Sequence, residues 1–232
     1  MSLLWCYGFS QSTLGMTGLL NSPSADFSAD GLLRCGGGNF LNEKLTHKAF
    51  SYNTFNFYLN ATFLPFFEVA VTNTALKNSA RTKFINQDRA ICLRLRLLKE
   101  RKYWPSIAIG SNDAFTQVWG GAFTSSEKGN KYFGTTYLAL SKHFALGNSD
   151  IGAHAAYNVL LSNDKATMEF PISCGVSFSP GFYRKMNVIV EYDTDDVNLG
   201  ANAVIFRHVF LQCMLQRFKY ISAGLCLQFY WK

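Results

Sequence analysis

Four carboxylates lie within six residues near the end of the chain: Glu191, Asp193, Asp195 and Asp196. On a β-strand, Glu191 and Asp193 share one face because alternate side chains point the same way. Asp195 and Asp196 then fall in the loop that follows. Several such oxygens together bind Ca²⁺ or accept sugar hydroxyls, so one hypothesis is a cation or sugar site.

The arginines support a structural alternative for the same carboxylates. Arg94 and Arg96 are two residues apart and also share one face of a predicted strand. Unpaired charges in a narrow, poorly hydrated interior are costly. We therefore expect Glu191 and Asp193 to pair across the interior with Arg94, Arg96 or Arg207.

Catalytic chemistry has little support in the sequence. His154 lies on the polar face of a predicted strand, but the other three histidines are dispersed, and no serine lies in a G-x-S-x-G element. The six cysteines form no C-x-x-C pair and no metal-binding spacing. The sequence thus predicts no catalytic residue, no cofactor and no metal site, and His154 remains a candidate polar residue of the interior.

The elements that position these residues are strands with one apolar face. In the last of them one face carries, in order, Ile221, Ala223, Leu225, Leu227, Phe229 and Trp231, and the other carries small or polar residues. Similar alternation along the chain predicts about twelve strands. Short connections (residues 64–67, 99–104, 145–149 and 179–185) alternate with long ones (40–51, 76–87 and 115–130). This asymmetry is typical of outer-membrane β-barrels.

Composition favours a lipid-facing surface. Of the 232 residues, 48% are hydrophobic and only 16% are charged, against about 25% in soluble domains. No apolar run approaches the roughly 18 residues of a spanning helix, so a membrane protein of this sequence is a barrel. The basic residues behind the net charge of +7 are scattered, which predicts solvated loops and no nucleic-acid partner. A basic lumen or contact with anionic glycolipid is the alternative. A soluble lipid-binding barrel stays open, because alternation does not say which face points inward.

The sequence divides into three parts. Residues 1–11 are apolar and are a candidate remnant of a signal peptide. Residues 12–30 are rich in serine, glycine and asparagine and are predicted to be a linker, which either plugs the barrel or lies in the periplasm. Residues 31–232 are predicted to form a single all-β domain, an antiparallel transmembrane β-barrel.

Four segments, in order, resemble the YjbH-like family of outer-membrane proteins, which is associated with exopolysaccharide export. They are TGLLNSPSA at residues 17–25 with Asp30-Gly31, PSIAIGSND at 105–113, YLALSK at 137–142 and EYDTDDVNLG at 191–200. The Gly-Thr-Gly often found after the second element is not evident after Asp113, and many family members are longer.

The resemblance implies a non-enzymatic barrel in the outer membrane of a Gram-negative bacterium, supporting polysaccharide export or envelope assembly. It implies outer-membrane lipid or lipopolysaccharide as partners, with polysaccharide and export-machinery proteins as further candidates. It carries no catalytic residues. Two alternatives remain, a small-solute porin and an outer-membrane lipid-modifying enzyme that would depend on His154.

Overall fold

The computed structural model describes residues 10–40, 53–77, 83–115, 133–161, 168 and 170–231. Most of the apolar segment expected at residues 1–11 therefore lies outside the described residues. Within the described ranges, no helix has the length and apolar character needed to cross a membrane.

Twelve strands are found in this part of the chain. They are β1 (Leu32–Phe40), β2 (Thr54–Thr62), β3 (Phe67–Lys77), β4 (Phe84–Leu98), β5 (Ser106–Asn112), β6 (Thr135–Leu146), β7 (Ser149–Leu160), β8 (Ile172–Ser179), β9 (Met186–Tyr192), β10 (Val197–Ile205), β11 (Val209–Gln216) and β12 (Tyr220–Tyr230). Each pairs antiparallel with its neighbours in sequence, and β1 pairs with β12. The prediction of a single antiparallel barrel of about twelve strands is confirmed.

The barrel closes along the first and last strands. Leu32 lies opposite Tyr230 at one end of this pair, and Asn39 lies opposite Ala223 towards the other. Closure leaves no strand with unpaired backbone groups along an edge. The last strand that the sequence predicts is therefore β12, which closes the barrel against β1.

Connections differ at the two ends of the barrel. Short connections (63–66, 99–105, 147–148, 180–185 and 206–208) lie at the end that holds the start of β1 and the end of β12, here called the turn end. The opposite end, the loop end, has the connections 41–53, 78–83, 113–134 and 161–171, together with the short 193–196 and 217–219. The predicted alternation of short and long connections is confirmed in part, because 41–53, 113–134 and 161–171 are long whereas 78–83 is as short as the connections of the turn end.

The apolar wall of each strand faces outward. On β12, Leu225 is 51% exposed and Phe229 is 49% exposed, whereas Cys226 and Gln228 between them are buried. The inward residues of β2 and β3, such as Asn60, Glu68 and Thr72, are polar and buried. This arrangement is the reverse of a soluble barrel, whose core is apolar.

Residues 10–30 lie inside the barrel, and this segment is here called the plug. Leu20, Ser24 and Ala25 are completely buried, and most of their neighbours in the plug are buried as well. The predicted linker at residues 12–30 is thus part of the packed interior. Small polar residues suit both roles, because inside a polar lumen they form with the barrel wall the hydrogen bonds that a linker forms with water.

Tight local structure shapes the plug. Isolated bridges join Gln11 to Thr17 and Gly18 to Pro23. At Gly15, φ is +83°, and a Cβ there would lie 2.5 Å from the Tyr58 ring. Only glycine takes this conformation easily and leaves room for the ring, so the turn fits against the wall of β2.

Candidate functional site

One contact between plug and wall centres on a buried ion pair. Arg94 of β4 pairs with Glu68 of β3, and both side chains are fully buried. The two residues lie directly opposite each other in the β3–β4 register. Glu68 also accepts hydrogen bonds from the Thr17 N–H and hydroxyl, each 2.8 Å, and from the Asn60 amide at 2.7 Å.

Arg94 binds the plug backbone as well as Glu68. Its guanidinium donates to the carbonyl oxygens of Thr17, Ser24 and Asp26. The planar, five-donor guanidinium can hold several acceptors at once. The Phe27 ring lies under Arg94 and Arg96, 4.2 and 4.4 Å from their guanidinium carbons. One arginine therefore holds three points of the plug.

A second polar anchor holds the middle of the plug from the opposite wall. Glu191 of β9 accepts the N–H groups of Leu20, Asn21 and Ser22 at 3.0, 2.8 and 3.1 Å. Asp193 accepts the Asn21 amide at 2.8 Å. Three consecutive N–H groups around one carboxylate form a concave anion site, filled here by the side chain of the wall.

Apolar packing accompanies this anchor. Leu19 and Leu20 of the plug form a buried cluster with Ile189 and Met214. A Cβ on Gly200 would lie 2.7 Å from the Leu20 side chain. Gly200 of β10, which has no side chain, thus leaves room for Leu20 of the plug.

The remaining acidic residues lie at the loop end. Asp196 pairs with Arg217, with 2.8 Å between Oδ1 and Nε. Asp193 Oδ1 accepts the backbone N–H of Asp195 at 3.4 Å and of Asp196 at 2.9 Å, which tightens the β9–β10 turn.

The structure corrects the expected pairing across the barrel. Arg94 pairs with Glu68, Glu191 binds plug N–H groups, and Arg207 lies over the Tyr230 ring at the turn end. Glu68 was missed, although alternation of Phe67, Val69 and Val71 outward puts it on the inner face. The physical reason is register, since a partner on the adjacent strand is closer than any partner across a filled lumen.

His154 lies inside the barrel between two serines. Its Nδ1 is 2.9 Å from the Ser141 hydroxyl, and its Nε2 is 2.9 Å from the Ser177 hydroxyl. Asp26 of the plug approaches Nδ1 to 3.7 Å. The structure therefore brings a plug carboxylate to a wall histidine that the sequence left isolated.

His143 extends this cluster towards the turn end. Its Nδ1 lies 2.8 Å from Glu100 Oε2, and its Nε2 lies 3.6 Å from Asp26 Oδ2. Burial by itself would raise the pKa of the Glu100 carboxyl. Hydrogen bonds from the His143 backbone and ring, the charge of His143 and a hydrogen bond from Lys142 outweigh this effect, so the pKa lies below its usual range. Sequence reasoning missed His143 and Asp26 because neither has a neighbouring ligand-type residue at a recognisable spacing.

A cavity of about 290 Å³ lies beside this cluster at the turn end. Asp26 and Phe27 of the plug form part of its lining, and Arg96, Glu100 and His143 form part of the wall side. Arg96 thus lies near Asp26 and away from the acidic residues of the loop end.

The four sequence segments that carry the family resemblance meet around the plug. Residues 17–25 are plug, and Ala25 donates its N–H to Ser141 at 2.8 Å and accepts from Ser106 at 2.9 Å. Ser106 lies in the second segment and Ser141 in the third, and Glu191 opens the fourth. The four segments therefore contain residues that hold the plug in the barrel.

Fold and site together define a closed twelve-stranded antiparallel barrel whose lumen is occupied by its own N-terminal segment. The family described as exopolysaccharide biosynthesis protein YbjH matches residues 10–198, which covers the plug and the first nine strands. The chain belongs to this YjbH family.

No curated protein matches the sequence. Among solved structures, outer membrane phospholipase A from Escherichia coli is similar, with 12% identity and a TM-score of 0.35, over 87% of this chain and 96% of that chain. A TM-score this low bears on neither the fold nor an activity.

Proposed function

We propose that this protein is a non-enzymatic, plugged barrel of a Gram-negative outer membrane that supports exopolysaccharide export or envelope assembly. Membership of the exopolysaccharide biosynthesis family supports the polysaccharide role. The observation that carries the membrane role is the inside-out distribution of side chains, apolar outside and polar inside. Its proposed partners are outer-membrane lipid or lipopolysaccharide, polysaccharide and export-machinery proteins.

Aromatic residues at the turn end support a membrane interface there. Tyr103 and Trp104 are 81% and 64% exposed, and Phe182 and Phe206 are 86% and 87% exposed. Such rings favour the headgroup region of a bilayer, where an apolar body meets a wetter layer. Basic residues lie in all three of these turns, with Arg101 and Lys102 beside Tyr103, Arg184 near Phe182 and Arg207 beside Phe206.

The plug argues against a general porin. A porin needs a water-filled lumen, whereas here Arg94 and Glu191 bind the plug from opposite walls. We expect the protein in planar bilayers to show no stable open channel. A steady porin-like conductance of the wild-type chain would contradict a plugged barrel.

A hydrolase is the second candidate function, because the Ser177 hydroxyl lies 2.9 Å from His154 Nε2. That distance suits a nucleophile and its base. However, Ser177 lies within β8 and pairs with Gly152 and Ile189 on its two sides. The backbone of Ser177 is thus used in strand pairing and does not form an oxyanion hole. Labelling of Ser177 by a serine-reactive phosphonate, lost in Ser177→Ala, would favour this candidate.

The export role is tested by deleting the gene in its native host and measuring secreted and cell-retained polysaccharide. We expect secreted polysaccharide to fall and the wild-type gene to restore it. Fractionation should place the protein with outer membranes, and heating should change its gel mobility. Unchanged polysaccharide and an unchanged envelope would contradict the role, and aqueous partitioning without detergent would contradict the membrane barrel.

A further inference from the structure

Three potential metal ligands from separate parts of the chain meet near the turn end. They are Asp26 of the plug, His143 of β6 and His154 of β7, and their ligand atoms lie within 4.8 Å of one another. The two imidazole rings are 5.5 Å apart, centre to centre. No one of these residues suggests a site by its local sequence.

The spacing of the atoms suits a small metal ion. Asp26 Oδ2 lies 3.6 Å from His143 Nε2 and 3.7 Å from His154 Nδ1. Ligands at 2.0–2.1 Å from a tetrahedral ion are about 3.3–3.4 Å apart. Small side-chain adjustments would therefore bring both nitrogens and the carboxylate onto one ion.

Neighbouring groups already orient the two rings. Glu100 Oε2, 2.8 Å from His143 Nδ1, favours a proton on that nitrogen and leaves the Nε2 lone pair directed towards Asp26. The Ser177 hydroxyl can likewise accept from His154 Nε2–H. A carboxylate behind a ligating histidine is the usual outer support of a metal site.

Ser141 competes with a metal ion for the lone pair of His154 Nδ1. Its hydroxyl accepts the Ala25 N–H and lies 2.9 Å from His154 Nδ1. The single hydroxyl proton can point to Nδ1 or away from it. A metal ion on Nδ1 replaces this hydrogen bond, so the Ser141 hydroxyl turns aside when the ion binds.

The donor set selects the class of ion. Imidazole nitrogens suit zinc, copper and nickel, whereas calcium and magnesium prefer oxygen ligands. The cavity of about 290 Å³ beside Asp26 and His143 leaves space for a water as the fourth ligand. Asp26, Glu100 and Asp150 line that cavity along with Arg96 and Lys99, so carboxylates outnumber cations there.

We propose that Asp26, His143 and His154 form a binding site for a divalent transition-metal ion of the Zn²⁺ class, which ties the plug to strands β6 and β7. The ion is held by one ligand from the plug and two from the wall. Release of the plug at the turn end then requires release of the metal. This site is independent of the polysaccharide role.

The test uses the full chain, folded in detergent and stripped with a chelator, with Zn²⁺ as the titrant in calorimetry. We expect one Zn²⁺ per chain. Asp26→Asn, His143→Gln and His154→Gln should each weaken binding at least about tenfold, and Glu100→Gln about 10- to 100-fold. The control is the double variant His47→Ala/His208→Ala, which removes the other two histidines of the chain and should bind as the wild type does.

A second measurement does not depend on the variants folding. Co²⁺ added to the wild-type chain should give the intense visible absorption of a four-coordinate site, and Zn²⁺ should displace it. Zn²⁺ should also slow hydrogen exchange around residue 26. Less than stoichiometric Zn²⁺, a weak six-coordinate Co²⁺ spectrum, or binding that disappears in the His47→Ala/His208→Ala control would overturn the proposal.

Discussion

The Arg94–Glu68 pair offers the sharpest test of how the plug is held. In Arg94→Met, the guanidinium that reaches the carbonyls of Thr17, Ser24 and Asp26 is lost, and Glu68 becomes an unpaired buried charge. Removing one partner of a buried pair costs about 3–5 kcal/mol. We expect the equilibrium for local opening of the plug to increase between about 10²- and 10⁴-fold.

Hydrogen exchange read by mass spectrometry on peptides from residues 10–30 measures this opening in the folded barrel. The matched control is Arg89→Met, because Arg89 lies on the same strand and is exposed on the outer side. We expect the control to leave exchange of the plug peptides unchanged. Heat-modifiable gel mobility confirms that both variants retain the barrel.

The double variant Glu68→Gln/Arg94→Met separates loss of charge pairing from loss of packing. Because it leaves no unpaired buried ion, its plug should exchange more slowly than that of Arg94→Met alone, and the two substitutions should be strongly non-additive. Plug exchange in Arg94→Met within a few-fold of the wild type would refute the reasoning. Additive effects of the two substitutions would do so too.

Three further predictions concern other parts of the structure. Glu191→Gln replaces one of the two carboxyl oxygens that accept three plug N–H groups with an NH2 donor, so exchange at residues 20–22 should quicken at least about tenfold, since a buried donor left without a partner costs about 1–3 kcal/mol; unaltered exchange would count against the anchor. Gly15→Ala places a Cβ against Tyr58 at positive φ and should lower the free energy of unfolding by about 1 kcal/mol or more in a urea titration, whereas a neutral effect would contradict the packing. Leu225→Arg on the outer face of β12 should destabilise the barrel in lipid vesicles by about 2–4 kcal/mol, with Leu225→Met as the control; equal stability of the two variants would show that this face does not contact lipid.

Strand positions were predictable because their signal is local. In the last strand, the predicted apolar face, with Leu225 and Phe229, is the exposed face of β12 in the structure. Period-2 alternation follows from the geometry of an extended chain, so each strand shows its two faces without reference to the others. The strands and their apolar faces could therefore be read from consecutive residues, whereas the outward direction of those faces became certain only in the closed barrel.

The plug was not predictable in the same way. Its composition is that of a linker, and no local pattern separates a segment that bonds to water from one that bonds to a polar lumen. Glu191 lies about 170 residues from its plug partners, a separation that no sequence window spans. Only closure of the barrel around residues 10–30 decides where their backbone hydrogen bonds go.

The sequence by itself determined which side of each strand is apolar, because that choice is written in alternate residues. Tertiary structure decided which polar residues meet. Arg94 binds Glu68 because the strand register places them side by side. Asp26 reaches His143 and His154 because the plug runs inside the barrel next to β6 and β7. Contacts of this kind depend on strand register and chain path, which arise only when all twelve strands close.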